Sequence, residues 1–209
     1  MTTFQNLITT EEDLRKLLGN PNELVQNKSI PHLDPHAREF IAKSPFLLMA
    51  TSDRTGMCDV SPRGDAPGFV LVVDEQHLVI PERPGNRRMD SMRNILSNPA
   101  VGLIFMIPGL EETLRVNGTA CITKDEPLLS RMEAHGRTPL VGIGVQVKEC
   151  YIHCAKSIKR SNLWKSETWL ERGQLPNIAQ ALADHVRLPG IDANAIAKAL
   201  QDSYTNRLY

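Results

Sequence analysis

The chain has 209 residues, with 24 Lys plus Arg set against 24 Asp plus Glu, and 41% of its residues are hydrophobic. That length supports one sizeable core without disulfide or metal staples. A formal net charge of zero argues against a protein built to work on nucleic acid or an anionic membrane, so any anion recognition is local.

The opening "MTTFQNLITTEEDLRKLLGN" places acids within its first fifteen residues and lacks the apolar centre of a secretory signal. No later run reaches the roughly 20 apolar residues of a membrane span. A cytoplasmic protein is expected, with no membrane partner and its four cysteines held as thiols. Cys58 and Cys121 stand in alternating apolar patterns, where a small buried thiol is the usual state.

In chain order, "TTEEDLRKLLG" predicts a helix with Thr10 as N-cap and Gly19 as stop. "LDPHAREFIAKSP" predicts a second, capped by Asp34 with Pro35 at its first position. After Pro45 the period changes to two: "FLLMATS", "MCDVSP", "GFVLVVD" and "HLVIP" read as strands joined by tight turns. "MDSMRNILSN" returns to helical spacing, with Met89, Met92, Ile95 and Leu96 on one face and Pro99 as the stop.

"AVGLIFMIP" and "TLRVNGTACITK" are further strands, "EPLLSRMEAHG" a short helix ended by Gly136, and a long strand follows from Leu140. Short turns between most strands favour an antiparallel barrel over a parallel sheet, which needs a helix after nearly every strand. The tail carries two helices, "NIAQALADHVRLPG" and "DANAIAKALQDSYTNRLY". The expected organisation is therefore N-terminal helices over 1–44 packed on a barrel at 45–160, with a helical extension at 161–209 in the same domain.

"CYIHC" invites a metal reading. On a strand, Cys150, Ile152 and Cys154 share one side while Tyr151 and His153 take the other, which splits the would-be ligands. No second Cys or His cluster completes a four-ligand set, so no metal is expected.

The chemistry concentrates in "IPERPGNRRMDSMRN". Arg83, Arg87, Arg88 and Arg93 gather where a strand ends and a helix begins. Guanidinium forks match phosphate oxygens two at a time, and the N–H groups at a helix start add to them. The competing reading is a solvated basic helix end with Glu82 and Asp90 as ion-pair partners. "DVSPRGDAPG" adds Ser61 and Arg63 in a stretch able to fold toward the same corner, with Gly64 and Gly68 permitting close backbone approach.

Together, "FLLMATSDRTGMCDVSPRGD", "LVIPERPGNRRMDSMRNILSNPAVGLIF" and "LEETLRVNGTA" resemble, over roughly residues 40–160, the pyridoxamine 5'-phosphate oxidase-like family of FMN-binding split barrels. The resemblance implies a mainly β, α+β fold: a six-stranded antiparallel split β-barrel with flanking N- and C-terminal helices. It implies FMN as cofactor at the interface of a homodimer. Cys58 to Arg63, including Val60, Ser61 and Pro62, fall on the strand beneath the flavin, and Arg63 on a basic cofactor contact.

By the same resemblance, Pro81 and Glu82 fall where backbone meets the ring, and Arg87 and Arg88, flanked by Arg83 and Asn86, on the phosphate grip. Thr113 falls on a polar position facing the ring that is commonly glutamine in the oxidase, and Trp164 on a plausible contact from the second subunit. The oxidase's vitamin-recognising tail has no counterpart in "LERGQLPNIAQALADHV". The expected function is an FMN-dependent oxidoreductase of unknown catalytic residues, acting on a small organic substrate with NAD(P)H or oxygen as redox partner. A deazaflavin-dependent reductase and a non-catalytic flavin- or haem-binding protein that stores or senses its cofactor are the alternatives; nucleic acid is not an expected partner.

Overall fold

The computed structural model describes residues 3–209. Three helices precede the sheet: α1 (Glu11–Leu18), α2 (Glu23–Asn27) and α3 (Pro35–Lys43). The expected caps are in place, Thr10 Oγ1 accepting from the Asp13 N–H and Asp34 from the Ala37 N–H. Helix α3 buries Ala37, Phe40 and Ile41 against the core, whereas α1 and α2 bury no residue.

Seven strands form one antiparallel sheet: β1 (Phe46–Ser52), β2 (Cys58–Gly64), β3 (Leu71–Val72), β4 (His77–Pro81), β5 (Ala100–Met106), β6 (Thr113–Thr123) and β7 (Gly142–His153), in the order β2-β1-β5-β6-β7-β4-β3. This is the anticipated split barrel with one strand beyond six. The seventh, β3, is only two residues long because "GFVLVVD" meets a tight turn in which Asp74 Oδ1 accepts from the Gln76 and His77 N–H groups. The long last strand begins at Gly142, and Leu140 before it is 87% exposed.

Period-two alternation aims Leu47 and Met49 (β1), Leu103 and Phe105 (β5), Leu114 and Val116 (β6), and Ile143 and Val145 (β7) into one core. Opposite residues of those strands form the outer face. The β6–β7 ladder slips at Asn117/Gly118, and there a Cβ on Gly118 would stand 2.1 Å from the Gln146 carbonyl oxygen, so only glycine fits. The chain at Ile30 lies along the lower part of β7, exchanging hydrogen bonds of 3.0 and 2.7 Å with Cys150.

Helix α4 (Asp90–Ser97) follows β4 and buries Ser91 and Ile95. Met89 and Leu96, expected on its buried face, are 53% and 76% exposed. The helix starts at Asp90, so Met89 lies before its first turn, and Leu96 takes the solvent side while Ser91 turns inward. Cys58 and Cys121, expected to be buried, are exposed: Cys58 shares the outward side of β2 with Val60, and Cys121 the outward side of β6. The remaining helices are α5 (Glu126–Ser130), α6 (Lys156–Ser161), α7 (Ile178–Val186) and α8 (Ala193–Asn206), and the last two bury no residue. No helix among the described residues is long and apolar enough to cross a membrane.

Candidate functional site

The sheet ends at β2 on one side and at the two-residue β3 beside β4 on the other, and these edges are not hydrogen-bonded to each other. Side chains tie the end of β2 to the end of β4, and α4 packs on β1, β2 and β6. On β2, alternation puts Asp59, Ser61 and Arg63 on the side facing α4, all partly buried. Ser91 Oγ donates to Asp59 Oδ2 at 2.8 Å and lies 3.0 Å from Ser61 Oγ. With its proton committed to Asp59, Ser91 accepts from Ser61, and Ser61 in turn accepts from Arg63 Nε at 3.4 Å.

Two ion pairs stand beside this chain of hydrogen bonds. Arg63 pairs with Glu82 just after β4, the side chains being 15% and 26% exposed. Arg83 Nε donates to Asp65 Oδ2 at 2.6 Å, and Asp65 is nearly buried. The other Asp65 oxygen accepts from the Tyr209 hydroxyl at 2.7 Å, so the end of the tail reaches this corner. Burial alone raises the Asp65 carboxyl, but hydrogen bonds from Tyr209, from the Ala66 N–H and from Arg83 outweigh it and hold the group below the ordinary carboxylate range. A cavity of about 170 Å³ adjoins the pair, walled by Phe69, Leu71 and Met132.

The turn 82–89 carries the remaining arginines. Arg88 Nε donates to Asp90 Oδ2 at 2.7 Å, a bond that raises the guanidinium above its usual range. Asn86 Oδ1 accepts from the Arg88 N–H at 3.0 Å. Arg87 is exposed and has no carboxylate within 4.0 Å among the described residues. Arg87 and Met89 both adopt left-handed backbone, with φ of 61° and 56°. Such residues cost on the order of 1–3 kcal/mol each and collect at functional sites.

Met89 stands at the N-cap of α4 and makes no side-chain cap. Side chains of Thr10, Asn22, Asp34, Asp125, Asn177 and Asp192 cap the other α-helices apart from the six-residue α6. The first N–H groups of α4 are therefore left for another acceptor. A left-handed residue followed by a helical one also turns consecutive N–H groups to the same side, a geometry suited to anions. No histidine is hydrogen-bonded to Ser61 or Ser91 among the described residues.

Of the residues expected from sequence, Ser61, Arg63, Glu82 and Arg83 come together, with Asn86, Arg87 and Arg88 on the turn above. Val60 and Pro62 point to the other face of β2, and Pro81 is buried at the end of β4, which leaves backbone contact as their route to a ligand. Thr113 is separated from the corner: it lies at the start of β6 on the outer face, three strand spacings or about 14 Å from the end of β2. Trp164 donates its indole N–H to the Leu110 carbonyl at 2.8 Å, at the β5–β6 turn. Sequence reading missed Asp59, Asp65, Ser91 and Tyr209 as members of the corner. The odd-numbered alternation of "DVSPRGD" signals the first; nothing local signals Tyr209, which is 144 residues from its partner.

Residues 33–154, more than half of the chain, match the family model described as Pyridoxamine 5'-phosphate oxidase. The chain belongs to this family. No curated protein matches it. Among solved structures, a putative pyridoxamine 5'-phosphate oxidase from Lactobacillus delbrueckii is 20% identical, with 58% of this chain and 95% of that one aligned at a TM-score of 0.47. An FMN-binding protein from Syntrophomonas wolfei is 10% identical over 68% and 96% of the two chains, at 0.43. HutZ, described as the haem storage protein of Vibrio cholerae, is 18% identical over 58% and 93%, at 0.42.

Proposed function

We propose that the protein binds FMN at the β2–β4–α4 corner and uses it for redox chemistry on a small organic substrate. The observation that carries this is the uncapped start of α4, entered through left-handed Met89 and ringed by arginines. A flavin phosphate is close to dianionic and needs several convergent donors, which the α4 N–H groups, Arg87 and Arg88 supply. Arg63, Arg83 and Arg88 enter the site already paired with Glu82, Asp65 and Asp90, and Arg87 alone of the four has no carboxylate partner among the described residues. The contribution of the paired three is therefore orientation, and the net attraction for phosphate comes from the turn and the helix start.

The donor set fits the phosphate: it is rich in guanidinium and backbone N–H, while the Ser61 and Ser91 protons are already spent on Ser91 and Asp59. When bound, the flavin supplies electron and hydride transfer, and the chain needs no acid–base pair of its own. The backbone at Pro81 and Glu82 and the Ser61–Arg63 side of β2 position the ring.

The flavin lies at the interface of a homodimer in this account. The outer face of β2, β1 and β5 supports that arrangement, carrying Val60 at 61% exposure on β2 and partly exposed Leu48, Ile104 and Met106 on the same face of β1 and β5. A monomer seldom leaves such an apolar strip open. Absorbance of the purified protein is the test. Flavin bands that bleach with NADH or NADPH support the enzyme. Bands that yield only to dithionite mean storage of the cofactor, and a protein that takes up no flavin sinks the assignment.

A further inference from the structure

We propose that Lys28, Arg115, Tyr151 and His153 form an oxyanion site on the outer face of β6 and β7, which takes the carboxylate or phosphate of a small molecule and is separate from the arginine corner.

The register of the sheet creates the cluster. Arg115 lies opposite Tyr151 and Thr113 opposite His153, so Arg115, Tyr151 and His153 share the face turned away from the core. Lys28 arrives from the end of α2, carried over β7 by the paired hydrogen bonds between Ile30 and Cys150. Its ammonium lies 4.5 Å from the centre of the Tyr151 ring, and the Arg115 guanidinium carbon 5.6 Å from the same point. The His153 and Tyr151 rings are 4.9 Å apart.

Both cations lie against one ring, within about 10 Å of each other, a range over which salt screens their repulsion only partly. Neither has a carboxylate within 4.0 Å among the described residues. Glu149, on the same face, spends its oxygens on Asn117 at 2.6 Å and Ser29 at 3.1 Å, and Glu111 near the start of β6 is held by Lys159 at 2.6 Å. Two partly buried cations facing one carboxylate, Glu149, that neither of them contacts directly leave an excess of positive charge, which favours an anion beside them.

Donors for that anion are available. Arg115 Nη1 donates to the Tyr151 oxygen at 3.1 Å, which leaves the phenol proton free, and Arg115 Nε is on Asn117, which leaves Nη2. Lys28 commits one N–H to the Ile152 carbonyl at 3.0 Å and retains two. Burial, then Lys28 and Arg115, hold His153 below the ordinary histidine range, so at neutral pH it is an uncharged ring with one N–H to give. Ser61 and Arg63 face the opposite side of the sheet, so this site and the corner are distinct.

The test is a titration of the full chain with inorganic phosphate, and separately with succinate, at constant ionic strength. The readout is the His153 ring proton by NMR, assigned by its loss in His153→Asn. A saturable shift with either probe, accompanied by a rise in the histidine pKa and weakened about tenfold or more in Lys28→Gln and in Arg115→Gln, is the expected result. Saturation by only one probe identifies the anion class. No saturable shift with either, or shifts as large in both variants as in the native chain, overturns the site. Lys28 is outside the sheet, so its variant keeps the test meaningful if Arg115→Gln fails to fold. Flavin uptake is read at the other face, and Arg87→Ala with Arg88→Ala leaves this titration unchanged.

Discussion

Replacing Asp65 by Asn keeps the shape of the side chain and removes its charge. The native carboxylate is 4% exposed and accepts from Arg83, from the Tyr209 hydroxyl at 2.7 Å and from the Ala66 N–H at 2.7 Å. An amide retains one acceptor oxygen, so the Arg83 guanidinium, only 17% exposed, loses its counter-charge. A hydrogen bond between charged groups contributes roughly 1.5–3 kcal/mol, and stranding a partly buried charge adds to the cost, so about 2–4 kcal/mol of stability is lost. For a chain of this size that lowers Tm by roughly 5–15 °C. Denaturant unfolding of Asp65→Asn, Arg83→Gln and the double variant isolates the pair, with an expected coupling of about 1–3 kcal/mol. The native carboxyl titrates low, so its contribution is complete above the unfolded carboxylate pKa near 3.9 and fades as pH falls through the lower folded value. A coupling under about 0.5 kcal/mol, the level of an exposed pair, refutes the view of Asp65 and Arg83 as a tie between the ends of β2 and β4.

Cys150 is buried in the sheet, and burial, then the Asp34 charge, push its thiol up to about 12. Native protein treated with iodoacetamide at neutral pH is therefore expected to be alkylated at Cys121 and Cys154 and spared at Cys150, as read by mass spectrometry, with Cys150 reacting only after unfolding. Gly118→Ala sets a Cβ against backbone that has no room to yield, and a loss of roughly 3 kcal/mol or more at the denaturant midpoint is expected, whereas a loss below about 1 kcal/mol contradicts the bulge geometry.

The elements most legible in the sequence are those whose signals are local. Thr10, Asp34 and Pro35 announce helix starts because a cap needs only three or four neighbouring residues. The strands announce themselves by alternation, and the same alternation divides Cys150 from Tyr151 and His153, whereas Cys154 lies past the end of β7 and is exposed. Which side of a strand meets the core depends on partners far along the chain, which is why Cys58 and Cys121 point outward against their apolar surroundings. The arginine corner was visible as a concentration of charge, but its neutralisation was only half visible. Glu82 and Asp90 are neighbours in sequence, whereas Asp59 and Asp65 enter through the fold and Tyr209 arrives from the opposite end of the numbering.

The central claim is that this corner grips the phosphate of FMN, and its most direct test is calorimetric titration of FMN into the flavin-free protein and into the Arg87→Ala, Arg88→Ala double variant. Each arginine supplies charge-assisted bonds worth about 1.5–3 kcal/mol, so affinity is predicted to fall by a factor between about ten and several thousand while thermal unfolding stays native-like. Equal FMN affinity in the native and doubly substituted proteins, or no binding by the native protein, contradicts it.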